Sequence, residues 1–225
     1  MLDAAMLSEL DAHFASLESR RELRAIVVEA DGPDFSYGAS IEEHLPEHIE
    51  PALARLSALL RRVASAPAPT IAAVRGQALG GGFELVLACD LIVAEEDAQL
   101  GLPEIKLGVF PPAASALLPV RIGVAGASAL ILTGTNWSGA QAMQRGLVSR
   151  VAAPGQLAES VAALLDESFL PRTATAVRHA ARAVRRNVVR ALDEELPHLD
   201  RLYLDELMRE RDAADGIRAF LARKS

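Results

Sequence analysis

Two glutamates and a glycine run are the residues whose types and spacing could do chemistry in this sequence. The stretch GQALGGGFELVLACD (76–90) places three consecutive glycines just before Glu84, and Glu104 follows in a later loop. A glycine turn that opens a helix presents unpaired backbone N–H groups and the positive end of the helix dipole, which favour a developing negative charge. Two carboxyls beside such amides would suit general acid–base catalysis next to an oxyanion site.

The residues alone leave other interpretations of this stretch open. A phosphate-binding P-loop ends in Gly-Lys-Ser/Thr, whereas Phe83 follows Gly82 here, and the glycine spacing does not match a dinucleotide fingerprint either. A tight turn without a ligand remains possible, and Glu84 could simply stabilise a helix N-terminus. Spacing along the chain does not establish that Glu84 and Glu104 meet, so the acid–base pair is a hypothesis at this point.

Three other groups of residues have simpler interpretations. The glutamates and histidines between positions 42 and 48 match no zinc motif, so we expect a solvated acidic face and no metal site. Six arginines between Arg172 and Arg190 alternate with alanine and valine, which favours an exposed helix face or a subunit contact over a phosphate or nucleic-acid site. Cys89 lies in an apolar run and is expected to be a small buried hydrophobic residue.

Strands and helices alternate in the part of the chain that must position these residues. Short β-branched runs predict strands at 24–30, 70–75 and 90–94, helical spacing predicts helices at 2–20 and 47–66, and 101–112 is predicted to be a loop. From residue 113 onward helical segments predominate, with one strand near 147–151. We therefore predict an α/β core with parallel strands over residues 1–160 and a helical C-terminal region over residues 161–225.

Composition restricts the class of protein. The 225 residues are 51% hydrophobic and 24% charged, which fits one large domain. The net charge of −7 argues against non-specific binding to nucleic acid or an anionic membrane. A single cysteine allows no internal disulfide, and we see neither a signal peptide nor the ~18 uninterrupted apolar residues of a spanning helix. We expect a cytoplasmic protein that binds neither nucleic acid nor membrane.

Longer motifs resemble a known family. The run PTIAAVRGQALGGGFELVLACDLIVAEEDAQLGLPEIKLGVFP resembles the signature region of the crotonase superfamily, the enoyl-CoA hydratases and isomerases. FSYGAS, LTGTNWSGAQAMQRGLVSRV and the ending DAADGIRAFLARKS extend the resemblance over nearly the whole chain. It implies the α/β crotonase (ClpP-like) fold, with repeated ββα units and a helical C-terminal region through which subunits assemble as homotrimers or homohexamers.

The resemblance also implies site residues and a reaction. Family members hold a CoA thioester carbonyl between two backbone N–H groups, which correspond to those of Tyr37 and Gly81, and hydratases use two glutamates, which match Glu84 and Glu104. The implied substrate-binding residues are Tyr37, Gly38, Ala39, Ser40, Gly80, Gly81 and Pro112. The implied reaction adds water to an enoyl- or dienoyl-CoA, or removes it, with CoA as part of the substrate and no other cofactor. Enoyl-CoA isomerisation, acyl-CoA hydrolysis and acyl-CoA binding without catalysis are the alternatives.

Three departures from the family pattern refine this expectation. Ser40 stands where the family's first loop usually has aspartate, and Pro112 stands where hydratases have a glycine whose N–H helps to hold the water; proline has no N–H to give. The family's N-terminal β-hairpin has no counterpart, which predicts a truncated start and an exposed sheet edge. The combination of FSYGASIEEHLPE with GVFPPAAS resembles members that act on a cyclic dienoyl-CoA.

Overall fold

The computed structural model describes residues 1–222, without the side chains of Ile41 and Ala214; the end of the C-terminal motif, residues 223–225, lies outside the described residues. The helices are α1 (Ala4–Leu17), α2 (Ile49–Ala64), α3 (Gly81–Ala88), α4 (Pro112–Ile131), α5 (Gly139–Gln144), α6 (Leu157–Leu164), α7 (Ala174–Val184), α8 (Arg186–Arg190), α9 (Leu196–Arg201) and α10 (Arg211–Ala222). The strands are β1 (Ile26–Val28), β2 (Thr70–Val74), β3 (Gln77–Leu79), β4 (Leu91–Glu95), β5 (Gln99–Gly101), β6 (Asn136–Ser138) and β7 (Arg150–Ala152). Short 3-10 helices cover Ile41–His44, Pro103–Leu107 and Leu207–Arg209, and π-helical turns cover Leu165–Phe169, Ala191–Glu195 and Leu202–Glu206.

The strands form two sheets. The first is parallel, in the order β1-β2-β4-β7, and its central strand β2 is buried along its whole length, as expected for a continuous apolar run covered on both faces. The second has the order β3-β5-β6, with β3 and β5 parallel and β5 and β6 antiparallel. Within residues 1–222, β1 pairs only with β2 and therefore lies at the edge of the first sheet.

A repeated ββα unit connects the two sheets. The chain passes through β2 in the first sheet, turns at Gly76 into β3 of the second sheet, and then enters α3. The path from β4 through β5 to α4 repeats this course, and β1 is followed by a parallel bridge between Ser36 and Ala78 and then by α2. The predicted ββα units and the parallel strands of the first sheet are thus confirmed.

The sequence did not predict the second sheet. Its strands β3, β5 and β6 have three residues each, which is too short for a period-2 pattern to be recognised. The segment 101–112, which we predicted to be a loop, instead begins at the last residue of β5 and contains the 3-10 helix Pro103–Leu107 and the start of α4. These short elements matter because they carry the candidate site.

The helical C-terminal region packs directly on the α/β part of the chain. Leu192 and Leu196 belong to the same hydrophobic cluster as the side chains of α3, and Tyr203 packs in a second cluster with Ile49 and Val109. α10 approaches the 3-10 helix Pro103–Leu107 closely. The region beyond residue 161 therefore contributes side chains to the surroundings of the second sheet.

The long helix α4 combines an apolar composition with burial. By length and composition it could cross a membrane, but a buried core helix meets the same criteria, so this is weak evidence for a span. Leu117 and Leu118 are fully buried in the core, and Gly123, with φ of +73°, kinks the helix. Within the described part of the chain, α4 is the one helix with these properties.

A buried ion pair joins the C-terminal region to the first sheet. Arg185 donates to both carboxylate oxygens of Asp90, at 2.7 and 2.5 Å, and to the carbonyl oxygens of Ala66 and Ala68 at 2.6 and 2.7 Å. The backbone N–H of Thr70 donates to the same carboxylate at 2.6 Å. The expectation of an exposed arginine face is therefore wrong for Arg185, which is only 6% exposed.

The other arginines of this segment lie nearer the surface. Arg172, Arg182, Arg186 and Arg190 are exposed, as expected for a solvated face. Several of them line an open cleft of about 700 Å³ between α7, α8, the end of α2 and the segment after α1. Glu18, Asp193 and Glu194 also line this cleft, so its charge is mixed.

Candidate active site

Three chain segments of the second sheet end at one place. The bridge between Ser36 and Ala78 and the parallel pairing of β3 with β5 put these segments side by side and in the same direction. Because parallel segments have their carboxyl ends at the same edge, the residues that follow them meet there. These residues are the loop around Gly38, which we call the first glycine loop, the glycine run 80–82, and Glu104. The fold thus brings together groups whose proximity could not be predicted from their spacing in the sequence.

The glycine run forms a tight turn into α3. Gly80 has φ of +52°, its N–H donates to the Gly101 carbonyl at 3.0 Å, and its own carbonyl accepts from the Glu84 N–H at 2.9 Å. A Cβ atom built on Gly80 would lie 2.8 Å from Oε1 of Glu104, so a side chain here would displace the carboxyl. Gly81 is the first residue of α3, and no described residue accepts a hydrogen bond from its N–H.

The first glycine loop contacts this turn backbone to backbone. Gly38 has φ of +84°, and a Cβ atom on it would lie 2.8 Å from the Leu79 carbonyl oxygen and 3.0 Å from the Gly81 nitrogen. Its N–H donates to the hydroxyl of Ser36 at 3.1 Å. The Ala39 nitrogen lies 3.7 Å from the Cβ position of Gly81, and no described residue accepts a hydrogen bond from this N–H either.

Tyr37 and Ser40, two predicted site residues, do not line the cavity beside these loops. Tyr37 is 60% exposed, and its hydroxyl donates to Asp34 at 2.8 Å. The Ser40 hydroxyl accepts from the Glu42 N–H at 3.3 Å and caps the following 3-10 helix. Ala39 does line the cavity, so its N–H is better placed than that of Tyr37 to face Gly81.

Glu84 lies in the first turn of α3 and is held by the start of α4. Its Oε1 accepts a hydrogen bond from the Ala114 N–H at 2.8 Å. Pro112 is the first residue of α4 and lines the cavity without an N–H. Burial raises the pKa of Glu84 to about 7; the amides of Ala114 and Ala113 oppose this rise, and the nearby Asp200 carboxylate adds to it.

Glu104 is buried beside Glu84 with less support from hydrogen bonds. Its Oε2 atom has no hydrogen-bond partner among the described residues. Burial, together with the neighbouring charge of Glu84, raises the pKa of Glu104 to about 8. The two carboxyls therefore titrate as a pair near neutral pH, where one can hold a proton while the other is ionised. This is the state that acid–base catalysis by two carboxyls requires.

The two carboxyls line the same small cavity. Its free volume is about 40 Å³, which is room for about two water molecules. Its walls are mainly apolar, and its lining residues are Leu2, Leu7, Ala39, Glu43, His44, Ile49, Ala52, Leu53, Leu56, Gly81, Glu84, Glu104, Phe110, Pro111, Pro112 and Tyr203. A larger ligand would have to move some of these side chains apart.

The sequence did not predict that Glu43, His44 and Tyr203 line this cavity. Glu43 and His44 are half-buried and line the cavity, so the expectation of a solvated acidic face is wrong for them. The His44 ring nitrogen Nδ1 lies 3.0 Å from the Ser40 carbonyl oxygen, and burial lowers the pKa of this histidine. Tyr203 comes from the C-terminal region, and no motif singles it out. Cys89 is fully buried, as expected.

Comparisons with known proteins show which family the chain matches. The family model described as enoyl-CoA hydratase/isomerase matches residues 1–225. The chain is 39% identical to a cyclohexa-1,5-dienecarbonyl-CoA hydratase of Thauera aromatica, over 100% of this chain and 86% of that protein. It is 38% identical to a probable enoyl-CoA hydratase of Rhizobium meliloti, over 99% of this chain and 87% of that protein.

Solved structures show the same fold. A crystal structure of an enoyl-CoA hydratase from Mycobacterium avium subsp. paratuberculosis superposes with a TM-score of 0.86 at 26% identity, covering 99% of this chain and 87% of that chain. The predicted fold, with its repeated ββα units, is thus confirmed.

Proposed function

Because the chain belongs to the enoyl-CoA hydratase/isomerase family, we propose that it adds water to the activated double bond of an enoyl- or dienoyl-CoA thioester, or removes it in the reverse direction. The observation that carries this proposal is the convergence of two buried carboxyls, Glu84 and Glu104, on a backbone-amide turn in one cavity. Isomerisation needs no bound water, and simple binding of acyl-CoA needs neither carboxyl.

The backbone amides polarise the substrate in this proposal. The thioester carbonyl oxygen accepts hydrogen bonds from the N–H groups of Gly81 and Ala39, whose position in the cavity wall favours it over Tyr37. Negative charge develops on this oxygen as water adds, and preorganised donors in a dry site stabilise that charge strongly. The oxyanion hole itself is part of the proposal.

The two glutamates move the protons. The ionised carboxyl of the pair takes a proton from water, whose oxygen bonds to the β-carbon while the π bond breaks. The protonated carboxyl then delivers its proton to the α-carbon, so that one C–O and one C–H bond are formed for each π bond lost. A pair of carboxyls with pKa values near neutrality can serve as base and acid in one turnover.

A cyclic dienoyl-CoA is the proposed substrate within this class. Support comes from the identity with the Thauera aromatica enzyme and from the apolar wall that Pro111, Pro112 and Phe110 form beside the carboxyls. A rigid planar ring needs a pocket of fixed shape, and prolines at the start of α4 restrict how that wall can move.

Further properties are proposed on the same basis. The reaction needs no cofactor beyond the CoA of the substrate, and the enzyme works in the cytoplasm without nucleic acid or membrane. We also propose a homotrimer or homohexamer assembled through the helical C-terminal region. Exposed apolar side chains in that region, including Val184 and Leu170, are available for such contacts.

A spectrophotometric screen tests the proposed function. Crotonyl-CoA and cyclohexa-1,5-diene-1-carbonyl-CoA are compared in both directions, with release of free CoA thiol measured in parallel. We expect reversible hydration, faster with the cyclic substrate, and no thiol release. Thiol release would indicate hydrolysis, a shifted double bond without added water would indicate isomerisation, and binding without turnover would indicate a silent protein. Fast turnover of crotonyl-CoA alone would exclude the cyclic substrate.

A further inference from the structure

We propose that Tyr203 is a further catalytic residue, whose hydroxyl donates a hydrogen bond to the oxygen atom that is added to or removed from the substrate. This inference rests on the proposed hydration reaction and names one more group that acts in it. The tyrosine lies in the helical C-terminal region, far from both glutamates in the sequence.

The Tyr203 hydroxyl is buried without a partner. The side chain is only 1% exposed, and no described residue forms a hydrogen bond with its hydroxyl. Leaving a buried hydroxyl unpaired costs about 1–3 kcal/mol, so native proteins seldom do it without a reason. Since the residue lines the cavity that holds Glu84 and Glu104, a ligand of this cavity can supply the missing partner.

A second unpaired atom faces the same cavity. Oε2 of Glu104 is also buried without a partner, whereas Oε1 of Glu84 is occupied by the Ala114 N–H. The cavity walls therefore include an unused donor, the Tyr203 hydroxyl, and an unused acceptor, Oε2 of Glu104. Its free volume of about 40 Å³ is large enough for water, which can serve as acceptor to the first and donor to the second.

The neighbouring wall cannot easily supply this donor from the backbone. Pro112 lines the cavity at the first position of α4 and has no N–H, and the N–H of Ala114 is already used by Glu84. A side-chain hydroxyl from another element compensates for this gap. The Tyr203 hydroxyl can do so because the C-terminal region packs over the end of the second sheet.

Packing fixes the direction of the tyrosine ring. Phe110 contacts it in a tilted arrangement, with ring centroids 5.4 Å apart and an interplanar angle of 60°. Tyr203 also belongs to the π-helical turn Leu202–Glu206, a deviation from regular helix that is frequent at functional sites. A rigidly held hydroxyl costs little reorganisation during the reaction.

The Tyr203 hydroxyl can act as a hydrogen-bond donor throughout the hydration reaction. Burial and the nearby charges of Glu104 and Glu84 raise the pKa of Tyr203, so its hydroxyl keeps the proton while the glutamates titrate. Water that accepts from this hydroxyl and donates to the carboxyls keeps its remaining lone pair for the β-carbon. In the reverse direction the same hydroxyl stabilises the leaving oxygen.

The variant Tyr203→Phe tests this role, since it removes the hydroxyl and keeps the ring against Phe110. We expect kcat to fall about 10- to 100-fold in both directions, with KM for the acyl-CoA unchanged within about twofold. The melting temperature should stay the same or rise, because an unpaired buried hydroxyl is removed. Leu202→Ala, in the same π-helical turn but with a partly exposed side chain, is the control and should keep the kcat of the wild type.

The outcomes separate this inference from the proposed function. A wild-type protein that hydrates no enoyl-CoA overturns both. An active wild type with Tyr203→Phe within twofold of its kcat overturns the role of Tyr203 alone, provided that Glu104→Gln in the same assay is inactive. If kcat falls and the melting temperature also falls by several degrees, the tyrosine acts through packing, and the inference is overturned.

Discussion

Two buried acidic sites in this chain are built in opposite ways. Asp90 is surrounded by donors: Arg185 contacts both of its oxygens, and the N–H and hydroxyl of Thr70 donate to one of them. Glu84 and Glu104 lie deeper than Asp90, whose side chain is 15% exposed, but among residues 1–222 neither glutamate forms an ion pair, and one oxygen of Glu104 has no partner. Both oxygens of Asp90 therefore have hydrogen-bond partners and a cation, whereas the glutamate pair has no cation and lacks some of its hydrogen bonds.

The difference shows how burial is used for structure and for reaction. A buried charge with a matched cation and full hydrogen bonding can remain ionised and hold distant segments together. A buried carboxyl without a cation is pushed towards the neutral state, which brings its pKa close to the pH of the cell. Incomplete pairing is therefore the feature that makes the glutamates, and not Asp90, suitable for proton transfer.

The largest expected effect is on turnover. Glu104→Gln, and separately Glu84→Gln, should lower kcat for hydration by about 10³-fold, because each removes one proton-transfer group. The dissociation constant for the acyl-CoA should change little, since the amide keeps the size of the side chain. Stopped-flow or steady-state assays and a binding titration give the two numbers. A variant that retains more than a tenth of the wild-type kcat would contradict the two-glutamate mechanism.

The next effect is on stability at the fully paired site. Arg185→Ala leaves the largely buried Asp90 carboxylate without its cation, with hydrogen bonds from Thr70 alone, and should lower the free energy of unfolding by about 3–5 kcal/mol. Arg186→Ala, its exposed neighbour, should change it by less than about 0.5 kcal/mol. Urea denaturation of both variants measures the difference. Equal effects would mean that the buried pair is no more important than a surface charge.

The two glutamates should make the stability of the protein depend on pH. The folded-state pKa values of Glu84 and Glu104 lie above their ordinary value of 4.5, so the folded protein holds protons that the unfolded chain has released. The stability they confer is complete below about pH 4.5 and is lost as pH rises through about 7 and 8. The expected slope is at most about 1.4 kcal/mol per pH unit for each carboxyl.

Denaturation between pH 5 and 8.5 measures this slope. The double variant Glu84→Gln, Glu104→Gln is the matched control, and it should be nearly flat relative to the wild type over the same range. A wild type that gains stability as pH rises through 7 would show that these carboxyls are stabilised in the ionised form, contrary to their incomplete pairing.

The sequence predicted the reactive site better than the structural one. Local signals, the glycine run and the helix after it, pointed to Glu84, and motif resemblance connected it to Glu104. In the sequence, Asp90 is a single charge within the apolar run LVLACDLIVA (85–94), with no motif around it. Its partner Arg185 lies far along the chain in a segment whose composition is typical of an exposed helix face. Pairing over such a distance is set by tertiary packing, which local patterns do not encode.

Tertiary packing also explains which parts of the candidate site could not be predicted from the sequence. The strands β3 and β5 that bring the glycine run and Glu104 together have three residues each and gave no periodic signal. Tyr203 reaches the cavity only because the C-terminal region packs over it. The proposed choice of Ala39 over Tyr37 as amide donor depends on how the chain turns at Gly38, whose φ is +84°, and the sequence alone does not give that turn.

The smallest expected effect concerns the proline at the cavity wall. Pro112→Ala adds an N–H at the first position of α4, beside Glu84, and relaxes a wall that we propose is shaped for a ring. We expect kcat/KM for crotonyl-CoA to rise about two- to fivefold relative to the cyclic dienoyl-CoA, a difference below ~1 kcal/mol. Stability should fall by about 0.4–1 kcal/mol, because proline restricts the unfolded chain.

Pro51→Ala is the matched control for this change, since Pro51 lies exposed in the first turn of α2 and does not line the cavity. It should lower stability by a similar amount without altering the ratio of the two substrates. If both variants shift that ratio equally, the preference reflects general rigidity. If only Pro112→Ala shifts it, the start of α4, which holds Glu84 through the Ala114 N–H, also selects the acyl group, so that one helix terminus serves reaction and specificity together.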